Sequence, residues 1–169
     1  FPILRCLEQI RNDACYHDAN LMIVGSGGGF SYGALGMSHH ATEDLSILRA
    51  LPSITVVAPS TAWEAGQATK LLVKRGGVSY LRLDKTAAKE RNFNDNIFAL
   101  GEARRHHEGT DITLVTTGGI LADVKEAAIE LERLGFSIRV LGIHTLKPID
   151  SDEIILAAKE TGGIITIEE

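Results

Sequence analysis

Short apolar segments alternate with helical patterns along almost the whole chain, and this alternation most constrains the fold. Apolar runs that predict strands lie at residues 20–25, 53–59, 78–83, 111–119, 137–145 and 164–169. Helical patterns lie at residues 3–15, from about residue 42 onwards, and at residues 61–76, 120–134 and 150–163. Strands that alternate with helices are typical of parallel sheets, in which each crossover helix covers a sheet face. We therefore predict an α/β fold of two units, whose mainly parallel sheets are covered by helices on both faces.

A polar segment separates the two units. Residues 84–96 read "DKTAAKERNFNDN", which is charged and lacks apolar periodicity, so it predicts a connection rather than an element. We predict a first unit at 1–88, a linker at 89–96 and a second unit at 97–169. Because the chain starts at Phe1 and stops where a strand would end, we expect it to be part of a longer protein.

Composition excludes two classes of partner. The formal net charge of the 169-residue chain is −5, and its basic residues are dispersed, which argues against binding to nucleic acid. No apolar run approaches the length that a membrane-spanning helix needs, so we expect no membrane association. Cys6 and Cys15 form no CxxC motif, and we predict two buried thiols of a reduced, cytoplasmic protein.

The longest irregular segment follows the first predicted strand. It reads "GSGGGFSYGALGMSHHA", holds six glycines, and ends in His39 and His40 just before a helix predicted from about Thr42. Loops after the carboxyl ends of parallel strands line the crevice where ligands bind, and helix N-termini favour anionic groups. We predict that this loop presents both histidines to an oxygen-rich or anionic ligand. The alternative is that the glycines merely allow a surface loop to turn.

Arg82 is unexpected within the apolar strand "VSYLRL". One interpretation is an arginine on an edge strand, or one whose apolar stem lies along the surface while its charge reaches water. The other is a guanidinium fork that grips a carboxylate or a phosphate near the same crevice.

Metal sites have weaker support. Adjacent histidines point apart on a regular element, and although His39 and Glu43 have a spacing that suits zinc, the predicted helix boundary at Thr42 spoils it. We therefore predict no metal site on this chain. For His106 and His107, in "ARRHHEG", we predict a solvated surface pair in a turn.

Two further enzyme classes have little support in the sequence. In "GSGGGF", Phe30 stands where the dinucleotide-binding fingerprint requires its third glycine, and no helix is predicted to open there. A G-x-S-x-G segment does occur at residues 29–33, but no helix is predicted to open there, which argues against the nucleophile turn of an α/β serine hydrolase.

The segment "GMSHHATEDLSILRALPSITVVAPSTAWEA" at residues 36–65 resembles the thiamine-diphosphate enzymes of the transketolase superfamily. In that superfamily a glycine-containing loop ends in Thr-His followed by Gln or His. A short helix, a segment of the LRxIPN type and a helix with an acidic residue come next. "VSYLRL" is similar to the superfamily's following strand with its phosphate-gripping arginine, and residues 97–169 look like its C-terminal domain. The resemblance covers essentially the whole chain.

The resemblance implies a transferase that carries a two-carbon ketol unit between sugar phosphates by means of thiamine diphosphate. It implies that His39 hydrogen-bonds substrate oxygens at the reaction centre and is the catalytic histidine. His40, where the family often has Gln, would bind substrate beside it, and Arg82 would bind the sugar's phosphate. Phe1 lies near the aromatic residue that packs on the cofactor's pyrimidine.

The resemblance also implies partners. The glutamate that activates the cofactor, and the domain that holds its diphosphate with Mg or Ca, would lie on an N-terminal transketolase domain or subunit. Cofactor sites shared between subunits imply a homodimer.

Two positions depart from the family pattern. Gly27 stands where transketolases usually have another histidine, and Leu35 where they often have an aspartate. Both are substrate contacts in the family, so two alternatives stay open. One is an enzyme similar to 1-deoxy-D-xylulose-5-phosphate synthase, and the other is a non-catalytic remnant that serves assembly or regulation.

Overall fold

The computed structural model describes residues 2–85 and 97–169. Its strands are β1 Leu21–Ser26, β2 Ile54–Val57, β3 Val78–Leu83, β4 Arg104–His107, β5 Ile112–Thr116, β6 Ile138–Gly142, β7 Thr145–Lys147 and β8 Ile164–Ile167. Its α-helices are α1 Pro2–Arg5, α2 Leu7–Gln9, α3 Asp44–Ala50, α4 Ala62–Arg75, α5 Leu121–Arg133 and α6 Ser151–Glu160, and a π-helix spans Ile10–Cys15. Phe1 and the linker predicted at 89–96 lie outside the described residues.

The strands form two four-stranded sheets with the orders β1-β3-β2-β7 and β4-β6-β5-β8. β3 pairs in parallel with β1 and β2, and β5 pairs in parallel with β6 and β8. The edge strands β7 and β4 are antiparallel to their neighbours. The predicted α/β fold with two mainly parallel sheets is therefore confirmed.

The two units are joined by more than the chain between them. β7 follows β6 in sequence, yet it pairs with β2 and completes the first sheet. A buried ion pair between Glu64 and Arg104, with Oε1 and Nη1 2.6 Å apart, adds a second link. The boundaries 1–88 and 97–169 stay predictions, since residues 89–96 are not described.

Helices cover both faces of the first sheet, because neighbouring residues of a strand point to opposite faces. Val56 and Tyr80 pack with Leu48 of α3 in one cluster, whereas Val57 and Leu81 pack against α4 in another. Full burial of an aliphatic side chain stabilises a fold by about 1.5–3 kcal/mol, so these clusters hold the sheet and its helices together.

The second sheet is covered in the same way. Val140 of β6 packs against Val124 of α5. Arg139, which points to the opposite face, forms an ion pair of 2.8 Å with Glu160 of α6.

The helix boundaries have local causes. At the start of α4 the Thr61 hydroxyl accepts a hydrogen bond of 3.0 Å from the Glu64 amide, as the T-x-x-E capping pattern predicts. The helix ends at Gly76, whose φ of +70° favours glycine. No helix in the described ranges is long and apolar enough to cross a membrane.

The prediction of a solvated turn at His106 and His107 is wrong. Both belong to β4, which pairs with β6, and the His107 Nδ1 donates to the Ile138 carbonyl at 2.8 Å. Burial, and then the nearby Arg104, lower the pKa of His106 to about 3. Tertiary pairing overrides the polar local sequence, as is common for edge strands.

The prediction of two buried thiols is wrong for one cysteine. Cys15 is buried, and burial raises the pKa of its thiol, whereas Cys6 is exposed on the helical segment that opens the described chain. Cys6 falls on the solvent side of an amphipathic segment whose apolar stripe includes Ile3 and Ile10.

Candidate active site

A cavity of about 270 Å³ opens at the carboxyl ends of β1 and β3. His39, His40 and Arg82, the three described residues that the sequence singled out, all line it. The structure therefore brings them together where loops follow parallel strands. Phe1, the predicted cofactor contact, lies outside the described residues, so its placement stays a prediction.

The loop between β1 and α3 folds back on itself to carry the histidines. The Gly29 and Ala41 backbones exchange two hydrogen bonds of 2.9 Å, which close the base of the loop. Between them lie the 3₁₀ turns Gly33–Leu35 and Met37–His39, joined at Gly36 with φ +80°. The glycines thus shape a defined loop.

His39 is exposed, and its Nδ1 lies 3.0 Å from the Ser38 hydroxyl. The ring of His40 meets the Phe30 ring edge-on, with centroids 4.9 Å apart. His39 and Glu43 do not lie on one helix, as their four-residue spacing would require for zinc binding, because α3 starts only after Glu43. Across residues 2–85 and 97–169 no group of three or more His, Cys, Asp or Glu could hold a metal ion.

The surroundings of Arg82 exclude the interpretation of an edge or surface arginine. β3 is an inner strand, and Arg82 is 3% exposed. Its Nη1 lies 3.4 Å from Oδ1 of Asp44, and its Nε lies 3.6 Å from Oδ1 of Asp84. One guanidinium therefore faces two buried carboxylates, and the formal charge of the three groups is −1 when both carboxylates are ionised.

Tyr80 extends this cluster. Its hydroxyl donates a hydrogen bond of 2.6 Å to Oδ2 of Asp44. Burial, and then the Asp44 carboxylate, raise the pKa of Tyr80, so its hydroxyl stays a donor at neutral pH. A Cβ at Gly25 would lie 2.5 Å from that hydroxyl oxygen, so glycine is needed on the neighbouring strand.

Asp84 ties three segments together. Its Oδ1 accepts a hydrogen bond of 3.1 Å from the Gly28 amide of the histidine loop. Its Oδ2 accepts one of 2.6 Å from the Gly119 amide, in the turn that precedes α5.

Sequence reasoning missed both aspartates. The local pattern places Asp44 in the first turn of a helix and Asp84 at the start of a linker, and neither position suggests a buried partner for an arginine. A signal for Asp84 was available, because residues two apart on a strand share a face and a buried arginine requires an acidic partner.

Lys85 was also missed. Its Nζ lies 3.6 Å from the centroid of the Tyr32 ring, and Tyr32 lines the cavity. This cation–π contact places an exposed positive charge beside the cavity.

The departure at Gly27 has a physical reason. Gly27 has φ +86°, and a Cβ there would lie 2.1 Å from the Tyr32 ring. A histidine at this position would clash with that ring, so Tyr32 occupies the space that the side chain would take. Nothing in the structure explains Leu35, which is exposed.

The cavity fits one part of thiamine diphosphate. Ile3, Leu4 and Val24 contribute apolar surface to its lining, which can take the face of a flat ring. The described lining residues do not fit the diphosphate, because Arg82 is already shared by two carboxylates. A diphosphate–metal end would need groups from another domain.

Comparison with known proteins agrees with this geometry. Residues 3–90 match the transketolase pyrimidine-binding domain, and residues 101–169 match the transketolase C-terminal domain. The chain belongs to the transketolase family. Membership of the pyrimidine-binding domain family implies dependence on thiamine diphosphate.

Relatives of this transketolase chain include components of split enzymes. It is 38% identical to a subunit of the apulose-4-phosphate transketolase of Phocaeicola vulgatus over 170 residues, which cover 100% of this chain and 54% of that protein. It is 32% identical to the 6-deoxy-6-sulfo-D-fructose transketolase subunit SqwH of a Clostridium species over 168 residues, covering 99% and 52%. The chain thus spans about half the length of these relatives and corresponds to the C-terminal portion of a split transketolase.

Solved structures share the fold. A split-gene transketolase, described as an inactive β4 tetramer, superposes with a TM-score of 0.89 at 34% identity, covering 100% of this chain and 55% of that one. Transketolase from Campylobacter jejuni superposes with a TM-score of 0.82 at 21% identity, covering 98% and 27%, which shows the fold alone.

Proposed function

We propose that this transketolase chain supplies the substrate-facing part of an enzyme that transfers a two-carbon ketol unit between sugar phosphates. The observation that carries the proposal is the convergence of His39, His40 and Arg82 on one cavity at the carboxyl edge of the first sheet. Relatives named for apulose-4-phosphate and 6-deoxy-6-sulfo-D-fructose support a polyol substrate with an anionic end.

The histidines serve the reacting end of the sugar. Thiamine diphosphate, when bound, supplies the nucleophilic carbon that attacks a ketose carbonyl. His39 stands exposed at the end of a 3₁₀ turn, where its ring can hydrogen-bond the sugar hydroxyls next to the bond that breaks. In this proposal the His39 imidazole accepts a hydroxyl proton from the sugar and returns it. His40, fixed against Phe30, binds the neighbouring oxygens.

The phosphate end needs a cation, and the chain offers two. Arg82 lines the cavity, and its remaining N–H groups bind the phosphate in our proposal. The carboxylates of Asp44 and Asp84 would repel a phosphate beside Arg82. Lys85 is therefore a competing candidate for the phosphate contact. Phe1 packs on the cofactor's pyrimidine ring in the same proposal.

The remaining parts of the active site come from partners. We assign the activating glutamate, the diphosphate site and its Mg or Ca ion to an N-terminal transketolase subunit, and we expect a dimer of the assembled enzyme. The relatives that are themselves named as transketolase subunits support such a division. We place the enzyme in the cytoplasm.

Two other functions remain testable against this one. A synthase that decarboxylates pyruvate would use the same loop, and a regulatory remnant would bind no cofactor. The arrangement at Gly27 favours altered specificity, because the Tyr32 ring lies where the side chain of the family's histidine would begin.

The test requires the chain co-expressed with its N-terminal partner and a coupled ketol-transfer assay. His39→Ala should lower kcat/KM by about 100-fold or more, because a positioned acid–base group contributes that much. The matched control is His17→Ala, an exposed histidine outside the cavity that contacts the Asn12 carbonyl. Wild-type rates in His39→Ala would refute the site assignment.

The donor and the phosphate contact are tested in the same assay. Transfer from a ketose phosphate but not from pyruvate supports the proposal, and the reverse supports the synthase. Lys85→Ala and Arg82→Lys are each assayed with phosphorylated and unphosphorylated donors. Substitution of the residue that binds phosphate should raise KM for the phosphorylated donor alone. Calorimetry should detect thiamine diphosphate binding by the assembled complex, and at most weak binding by the isolated chain.

A further inference from the structure

The carboxylate of Asp84 lies between the two halves of the chain. Asp84 directly follows β3 of the first sheet, and its side chain is 4% exposed. One oxygen binds the Gly28 amide of the histidine loop and the other binds the Gly119 amide of the second unit. A single buried group thus links the second unit to the loop that bears the candidate catalytic residues.

Close packing at both contacts shows that the arrangement is specific. A Cβ at Gly28 would lie 2.2 Å from Oδ1 of Asp84, and a Cβ at Gly118 would lie 2.5 Å from Oδ2. Two glycine backbones from two different units therefore close around one carboxylate. The 3₁₀ turn at Gly118–Ile120 leads into α5, whose N-terminal dipole favours a negative charge at this point.

The position of Gly28 determines where the histidines lie. Gly29, its neighbour, exchanges two backbone hydrogen bonds with Ala41. Ala41 follows His39 and His40 directly, so the base of the loop fixes the backbone from which both rings project. The contacts form a continuous path from Gly119 through Asp84 to the histidines.

A second contact reaches the same loop from the second unit. The Phe30 amide donates a hydrogen bond of 3.1 Å to Oε1 of Glu169, which follows β8. Phe30 in turn packs edge-on against the ring of His40. The second unit therefore contacts the loop directly at Phe30, and it reaches Gly28 through the carboxylate of Asp84.

We propose that Asp84 is a positioning residue for ketol transfer, through which the second unit holds His39 and His40 at the reaction centre. This inference rests on the proposed function of His39, and it assigns a role to the second unit in the geometry of the cavity. Asp84 itself touches no reacting atom.

The first arm of the test is independent of catalysis. Asp84→Asn keeps the shape of the side chain but has one acceptor oxygen, so one of the two amides loses its partner. Hydrogen exchange, measured on the chain assembled with its partner, should become at least tenfold faster at the Gly28 and Ala41 amides. The Ala65 amide, which bonds to Thr61 within α4, should not change. Unchanged exchange at Ala41 in a folded variant would overturn the proposal.

The second arm is a double-mutant cycle with His39→Ala. Asp84→Asn should lower kcat/KM by about tenfold to 100-fold in the wild-type background, because a displacement near 1 Å can cost that much. It should lower kcat/KM by a clearly smaller factor once His39 is absent, because only the effect through His40 then remains. Equal losses in both backgrounds would overturn the proposal, since a merely structural role predicts them.

Glycine variants provide a matched pair in the same loop. Gly28→Ala introduces a methyl group that displaces the Asp84 carboxylate, and it should reproduce the effects of Asp84→Asn. Gly33→Ala is the control, because the nearest atom to its Cβ would lie at 3.9 Å. Equal effects of Gly28→Ala and Gly33→Ala on hydrogen exchange and on kcat/KM would contradict the proposal. If His39→Ala keeps wild-type activity, the proposed function fails, whereas the exchange experiment still decides the role of Asp84.

Discussion

Arg82 and Arg139 are two buried arginines on inner strands of the two sheets, and they differ in their partners. Arg82 is 3% exposed and faces two carboxylates whose side chains are 7% and 4% exposed. Arg139 is 5% exposed, yet Glu160, its partner, is 43% exposed. All three side chains of the first cluster are buried, whereas the second cluster opens to solvent through its carboxylate.

The two arginines also lie at opposite ends of their strands. Arg82 is next to last in β3, at the carboxyl edge where the loops form the cavity. Arg139 is the second residue of β6, near the opposite edge. Strand position, rather than the presence of a charge in an apolar strand, separates an arginine beside a ligand cavity from one that connects a sheet to a helix.

The largest expected effect is on stability. Arg82→Met should lower the free energy of unfolding by about 3–5 kcal/mol, because Asp44 and Asp84 would stay buried without a counter-charge. Arg139→Met should change it by less than about 1 kcal/mol, because Glu160 can be hydrated and a buried charge is replaced by an apolar side chain. Urea unfolding of the two variants measures both values.

A triple variant, Arg82→Met with Asp44→Asn and Asp84→Asn, serves as the control for that prediction. It removes all three charges and should recover part of the lost stability. Equal destabilisation by the two single arginine variants would show that the exposure of the partner does not matter, and the comparison would fail.

A smaller effect on stability is expected from two buried histidines that lie near the positive charge of Arg104. Burial, and then Arg104, lower the pKa of His106 to about 3 and that of His144 to about 4. Because an unfolded histidine titrates near 6.5, its unfolded form gains a proton below that pH while the folded form does not. The contribution of these two histidines to the free energy of unfolding is therefore full above about pH 6.5, and it falls as the pH approaches 4.

Urea unfolding at two pH values tests this. The protein should be less stable at pH 5 than at pH 7 by about 2 kcal/mol for each of the two histidines. His144→Gln should remove a substantial part of that difference, because its side chain does not titrate. An unchanged difference in His144→Gln would place the pH dependence on other groups.

The smallest effect is expected at the open ion pair. Glu160→Gln should cost at most about 1 kcal/mol, and less in high salt, because exposed pairs are weak and are screened. Asp84→Asn should cost more, and added salt should change its cost little, because its carboxylate is buried. Equal salt dependence of the two variants would contradict the distinction between a sealed and an open cluster.

The sequence predicts the apolar parts of the fold well. β3 begins and ends as predicted from "VSYLRL", and α4 lies between its predicted cap and its closing glycine. β4 and β7 were missed because they are short edge strands with charged or polar residues, whose pairing depends on the rest of the sheet.

The candidate site, like the fold, was predicted only in part from the sequence. The position of the loop after β1 follows from the topology of parallel strands, so the sequence could bring the histidines and Arg82 to one edge. The partners of Arg82 depend on which loop folds against β3, and local patterns do not contain that information. Asp84 shows this most clearly, because Gly28 and Gly119, which donate to its two oxygens, are both distant in sequence.

The contribution of β7 to the first sheet has a consequence for any fragment of the molecule. A first unit produced alone would expose the backbone of β2 where β7 now pairs, and such an open edge invites association with other chains. Cleavage between the units would instead leave two pieces that are held together by the pairing of β7 with β2. We therefore expect the molecule to unfold as one cooperative body, in which the sheet that bears the candidate site is completed by a strand from the second unit.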